Sequence, residues 1–196
     1  MANVTSILSE SKALLGGHFL LSSGRHSNKY FQCARLLQHP DKAEAVLSLA
    51  ASVIKADIKA GRLKVDAICG PAMGGIIVAY ELGRLLCLPA FFTERGESGD
   101  FELRRGFEVK SGENILIAED VVTTGKSSME TRKVLEAMGA KTTAIACIVD
   151  RREDGVSLDL PLYSCVKEVV ESWDPSSCPF CKNGVPFVKP GSRNKF

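Results

Sequence analysis

The chain has 196 residues, 45% of them hydrophobic and 24% charged. These are ordinary values for one globular domain of roughly 150 residues with trimmings, and they exclude a disordered or fibrous protein. Twenty-five basic against 23 acidic residues leave a net charge of +2, too little for a general nucleic-acid or membrane-surface binder, so any polyanion must meet a local cluster of charge.

Residues 1–15 contain no basic region followed by a long apolar stretch. Glu81, Arg84 and Asp120 interrupt the longest apolar runs before they reach the roughly 18 residues of a membrane span. Seven cysteines, an odd number set mostly singly in apolar runs, point to reduced core thiols in a cytoplasmic protein and away from a disulfide framework. Pro40-Asp41 opens a helix whose apolar residues fall at Ala43, Val46, Leu47, Ala50, Ile54 and Ile58, with Gly61 as its stop. Val65 to Cys69 is a buried strand closed by Gly70-Pro71, followed by a helix over 74–86 and a short strand from Pro89 to Thr93. The stretch from Glu94 to Gly112, rich in glycine and charge, predicts an exposed mobile loop or hairpin. Asn114 to Ala118 is a third strand. It leads through Glu119-Asp120 and the turn Thr123-Thr124-Gly125 into a helix ending at Met138 with Gly139 as cap. A fourth strand, Thr143 to Val149, ends at Asp150-Arg151-Arg152, and from Asp174 the chain is irregular. Strands alternating with helices at this spacing predict an α/β fold: a mostly parallel central sheet with helices on both faces. Ligands of such sheets bind beyond the carboxyl ends of the strands, where 70–75, 119–127 and 150–152 fall.

The segment from Ile115 to Ser128 carries the chemistry. A buried strand delivers two adjacent carboxylates, then a turn of small and hydroxyl residues enters a helix whose N-terminus is partially positive. Such a turn cradles phosphate. Two carboxylates beside a phosphate repel it unless they face a metal or a neutral group, and a ribose supplies two hydroxyl donors. The alternative is an acid pair that only caps the helix. Gly125-Lys126-Ser127 is not a P-loop, because the glycine required five residues earlier is Asp120; Gly70, Gly74 and Gly75 likewise miss the dinucleotide spacing.

Glu119 to Ser128 resembles the phosphoribosyl-pyrophosphate signature of the type I phosphoribosyltransferases. Ser23 to Phe31 resembles the N-terminal hood of the orotate phosphoribosyltransferases. Gly70 to Gly75 is similar to their pyrophosphate loop, and Asp150-Arg151 to their Asp-Arg pair, in the family's order from about Phe19 to Arg193. The resemblance implies the type I phosphoribosyltransferase fold with a small hood over 1–40, a core over 41–160 with the mobile loop 94–112, and a C-terminal strand and tail over 161–196 packed on the core or a dimer. It implies a pentosyltransferase that moves phosphoribose from 5-phosphoribosyl 1-pyrophosphate to orotate in pyrimidine biosynthesis. Glu119, Asp120 and Arg95 would be catalytic. Glu119 and Asp120 would take the ribose hydroxyls, Thr123, Thr124, Gly125, Lys126 and Ser127 the 5′-phosphate, and Val121 and Val122 would also contact the phosphoribosyl pyrophosphate. Met73, Gly74 and Arg95 would line the pyrophosphate, with a non-proline cis peptide at the loop. Tyr30, Phe31, Thr123 and Arg151 would form the orotate pocket. The cofactor would be Mg²⁺, held mainly by substrate with no strong direct protein ligand. The assembly would be a homodimer with shared active sites and no nucleic-acid or membrane partner.

Three departures stand out: Ser22 replaces a hood lysine, Met73-Gly74 replaces a Tyr-Lys pair, and the loop offers Arg95, Arg104 and Arg105 in place of lysines and a histidine. Arg151 has an alternative as the ion-pair partner of Glu153 or Asp154. His18, His26 and His39 show no metal spacing, and His26 reads as a surface residue. Cys178-Pro179-Phe180-Cys181 is a single CxxC, so tetrahedral zinc is incomplete within the tail and a packed turn is expected. Trp173 is expected in the core or an interface.

Overall fold

The computed structural model describes residues 3–21, 23–153 and 155–190; Ser22, Asp154 and Arg193 lie outside them. Helix α1 (Val4–Glu10) is capped by the Asn3 side chain, which accepts from the Ser6 N–H. Strands β1 (Leu14–Leu20) and β2 (His26–Phe31) form an antiparallel hairpin, the hood. After the short α2 (Ala34–Leu37), helix α3 (Pro40–Lys59) starts with proline at its first turn, where no N–H is needed, and buries Ala43, Val46, Leu47, Ala50 and Ile54 as the periodicity predicts.

The core continues with β3 (Ala67–Pro71), α4 (Gly74–Leu86), β4 (Ala90–Arg95), β5 (Phe101–Leu103), β6 (Asn114–Val122), α5 (Lys126–Ala137), β7 (Lys141–Asp150) and β8 (Leu162–Lys167). Among the described residues these strands make one sheet in the order β5-β4-β3-β6-β7-β8, parallel except for the β4–β5 hairpin. Alternation along the strands splits the core in two. Ile68, Leu116, Ala118, Ala144, Ala146 and Ile148 pack with α3 and α4, while Ala67, Cys69, Ile115, Ile117, Ile145 and Cys147 pack with Leu135 of α5 on the other face. Helices therefore cover both faces of a mostly parallel sheet, as expected.

Several boundaries differ from the sequence reading. The strand expected at Val65 starts at Ala67, because Asp66 is occupied in accepting from the backbone and side-chain N–H groups of Asn114. The strand expected to end at Ala118 runs on through Glu119 and Asp120 to Val122, since Glu119, Val121 and Val122 stay in register with Cys147, Val149 and Asp150. Backbone pairing there overrides the polar side chains. The loop 94–112 is partly a hairpin, with Arg95 opposite Phe101. Residues 161–190 contribute β8 to the core sheet, then β9 (Ser172–Trp173) to the hood sheet, in the order β1-β2-β9, and finally the short α6 (Pro179–Lys182). His26, expected at the surface, is 3% exposed. Cys87 and Cys181, expected as core thiols, are exposed.

Candidate functional site

The carboxyl ends of β3, β6 and β7 converge on one cleft. Consecutive residues of an extended strand point to opposite faces, so β6 sends Glu119 toward α5 and Asp120 toward α4 and the hood. Glu119 is buried and accepts from Ser128 Oγ at 3.3 Å. Asp120 lies against Gly74: a Cβ added at Gly74 would stand 2.6 Å from the Asp120 carboxyl carbon. Gly75 meets the same strand backbone to backbone, its virtual Cβ 2.7 Å from the Ala118 carbonyl oxygen. These two glycines let the start of α4 close on β6, a constraint the sequence shows only as a Gly-Gly pair.

Burial raises the pKa of both acids, and the Asp120 charge raises Glu119 further. Among the described residues neither acid has a salt bridge, although twelve such pairs form elsewhere. One buried and one half-buried carboxylate with no such cationic partner suit hydroxyl donors or an oxygen-bound metal ion.

Beyond them the elbow turns at Thr123 and Thr124, both exposed, and Gly125 in the left-handed region at φ 73°. Gly125, the N-cap of α5, brings no capping side chain, so the first-turn N–H groups face the elbow; Thr124 Oγ1 accepts from that of Lys126 at 3.4 Å. Ser127 is half-buried beside them, and the exposed Lys126 side chain reaches Glu130 at 3.8 Å. The arrangement can take an anion at the turn and hydroxyls at the acids. On the other side, the Ala72–Met73 peptide is cis and Met73 is 80% exposed, so the loop offers backbone to the cleft.

At the end of β7 two adjacent arginines separate. Arg152 forks onto the buried Asp150 at 2.9 and 3.0 Å. Arg151 donates its backbone N–H to Val122 O, which ties it to the elbow, and turns its side chain toward the hood with its guanidinium carbon 5.7 Å from the Phe31 ring centre. Its Nε is buried and has no hydrogen-bond partner among the described residues. Burial lowers the Arg151 pKa, and the nearby Tyr30 and Cys33 partly oppose that shift. The Tyr30 hydroxyl is raised first by burial and then by Asp120. Tyr30, Phe31, Asp120 and Arg151 are thus brought together. Cys33, whose Sγ lies 4.0 Å from Asp120 O, is a neighbour that sequence reasoning missed; it sits in an apolar stretch with no motif to mark it.

The basic residues of the hood hold the C-terminal segment. Arg25 donates to Ser172 O at 2.6 Å, and Lys29 pairs with Glu168 at 2.6 Å. The loop arginines are also engaged. Arg95 pairs with Glu130 of α5 at 2.9 Å and lies 4.2 Å over the Phe101 ring; Arg105 forks onto Glu94, and Arg104 approaches Glu102 at 4.0 Å.

A paired-acid strand running into a hydroxyl-lined elbow on this sheet defines the class: residues 32–180 match the family model "Phosphoribosyl transferase domain", and the chain belongs to that family. The fold is that of the type I phosphoribosyltransferases. A curated orotate phosphoribosyltransferase of Carboxydothermus hydrogenoformans is 48% identical over 184 residues, covering 94% of each chain. The crystal structure of orotate phosphoribosyltransferase from Aeropyrum pernix superposes with a TM-score of 0.70 at 27% identity, over 84% of this chain and 93% of that one. Leishmania donovani UMP synthase, at 23% identity and a TM-score of 0.67 over 84% of this chain and 35% of its own, shares the fold. Within the wider family, the chain belongs with the orotate phosphoribosyltransferases.

Proposed function

We propose that this chain transfers phosphoribose from 5-phosphoribosyl 1-pyrophosphate to orotate, giving orotidine 5′-phosphate and pyrophosphate, in the cytoplasm and as a homodimer with shared sites. The observation that carries the reading is the pair Glu119, buried, and Asp120, half-buried, at the end of β6, with no cationic partner among the described residues and followed directly by the elbow. A ribose straddling the strand end meets both acids although they point to opposite faces. Thr123 to Ser127 receive the 5′-phosphate through hydroxyls and first-turn N–H groups. Backbone at Met73 and Gly74 lines the pyrophosphate, and Arg95 adds charge from the hairpin by exchanging Glu130 for the leaving group.

Tyr30, Phe31, Thr123 and Arg151 enclose orotate. Its carboxylate meets the half-buried Arg151 guanidinium, whose fork suits bidentate recognition. Attack by the ring nitrogen on the anomeric carbon needs no protein nucleophile, so the chain's contribution is positioning and charge stabilisation. Uncompensated carboxylate oxygens fit a hard cation, and Mg²⁺, held mainly by substrate oxygens, supplies charge neutralisation at the pyrophosphate when bound. A micromolar cosubstrate requires about 8 kcal/mol, which several charge-assisted hydrogen bonds of about 1.5–3 kcal/mol each can provide and the helix dipole alone cannot. Orotate absorbance followed with and without phosphoribosyl pyrophosphate and Mg²⁺ tests the proposal. Consumption of orotate only when both are present is the expected result; no consumption under any condition overturns it.

A further inference from the structure

The hood and the tail meet in a cluster that the reaction does not use. His18 on β1, His26 on β2, and Cys178 and Cys181 flanking the start of α6 bring their ligand atoms within 4.8 Å of one another. The CxxC that is incomplete within the tail thus gains two histidines from the far end of the chain.

We propose that these four residues form a structural tetrahedral site for zinc, pinning the tail to the hood. The hydrogen-bond accounting points this way. His18 Nδ1 lies 2.8 Å from Val185 O; a carbonyl only accepts, so Nδ1 carries a proton and in the neutral ring His18 Nε2 is a bare lone pair. A backbone carbonyl that fixes the tautomer is the usual outer partner of a metal-binding histidine. Three further groups converge on that lone pair: His26 Nδ1 at 2.7 Å, Cys178 Sγ at 3.4 Å and Cys181 Sγ at 3.8 Å. One proton can bridge only one of them, whereas a metal ion engages all four.

The spacing also fits. Zn–N near 2.0–2.1 Å and Zn–S near 2.3 Å set tetrahedral ligand edges of about 3.3–3.8 Å. Three of the four nitrogen–sulfur separations, at 3.3, 3.4 and 3.8 Å, lie on those edges, and all ligand atoms fall within 4.8 Å of one another. The His–His distance is shorter and opens by about 0.6 Å to reach an edge, a small rotation of one ring. Two sulfurs and two imidazoles in a tetrahedron select zinc among common divalent ions, and four protein ligands leave no open position for catalysis. An aromatic shell surrounds the cluster: Phe180 stacks on His18 at 5.2 Å, and Phe187 lies 5.0 Å from His26. The tail has modest support otherwise, since β9 pairs with β2 at two positions and Val188 exchanges backbone hydrogen bonds with His18 and Leu20.

The test uses the whole chain purified without chelators. Elemental analysis after desalting is expected to find about one zinc per chain. Cobalt(II) in its place is expected to give thiolate charge-transfer and tetrahedral d–d bands. Cys181→Ser, at an exposed position, is expected to abolish both signals. On the unmodified protein, alkylation with peptide mapping supplies an internal comparison: Cys181 should be protected until a chelator is added, while Cys87, also exposed, reacts at once. Zinc far below one equivalent even after incubation with the ion, equal alkylation of Cys181 and Cys87, or a Cys178–Cys181 disulfide would each overturn the assignment.

Discussion

Gly74→Ala separates the proposed site from the fold that carries it. The new Cβ falls 2.6 Å from the Asp120 carboxyl carbon and one of its oxygens, and 2.9 Å from the other, about 0.8 Å short of ordinary contact. Gly74 has no positive φ, so alanine fits the backbone, and in a helix it gains up to about 0.5–1 kcal/mol over glycine. Pushing Asp120 off its rotamer costs about 0.5–1.5 kcal/mol, so the two effects nearly cancel. The thermal midpoint should move by no more than about 2–4 °C. Turnover should fall much further, because a misplacement near 1 Å at a reacting centre is worth roughly 10²-fold. Orotate consumption at saturating cosubstrate and a thermal melt read the two quantities together. Gly16→Ala, where an added Cβ meets nothing within 4 Å, is the control and should change neither. Full turnover in Gly74→Ala with a lowered midpoint would place the strain in packing and remove Asp120 from the chemistry.

Three further substitutions probe separate parts of the argument. Glu119 is held above its ordinary 4.5 first by burial and then by Asp120. A raised folded-state pKa means that stability is lost as pH rises through it, so Glu119→Gln should lose turnover yet melt higher than the parent at about pH 7–8, with the gap closing near pH 4; a lower midpoint at neutral pH would contradict the shift. Arg151→Ala removes the half-buried guanidinium whose Nε is buried without a partner among the described residues, and the Michaelis constant for orotate should rise about 10- to 150-fold while that for phosphoribosyl pyrophosphate barely moves. An unchanged orotate constant relocates the base pocket. Thr93 and Thr131 share a fully buried hydrogen bond at 3.0 Å between β4 and α5. Thr131→Val strands the Thr93 hydroxyl at about 1–3 kcal/mol, so the midpoint should drop by several degrees with both Michaelis constants intact; altered constants would couple this contact to the site.

The elements with strong local signals were legible in the chain itself. The helix Gly74–Leu86 begins and ends where its glycine pair and Leu88-Pro89 predict, and the apolar face of Pro40–Lys59 is the one its spacing defines. The elbow after β6 is likewise local, because a left-handed glycine and hydroxyl-rich turn are properties of adjacent residues. Tertiary structure alone decided the rest. Whether Arg151 or Arg152 pairs with Asp150 depends on which strand lies beside β7 and which face each residue presents. Glu119 and Asp120 look interchangeable as a dipeptide, yet ladder pairing to Val122 sends one beneath α5 and the other against Gly74. His18 and Cys178, 160 residues apart, meet because β9 folds the tail back onto the hood. Local dihedral preferences and side-chain periodicity act over a few residues. Contacts across the chain arise when apolar faces seek cover and unpaired backbone seeks partners, and no spacing in one sequence encodes which distant segments will meet.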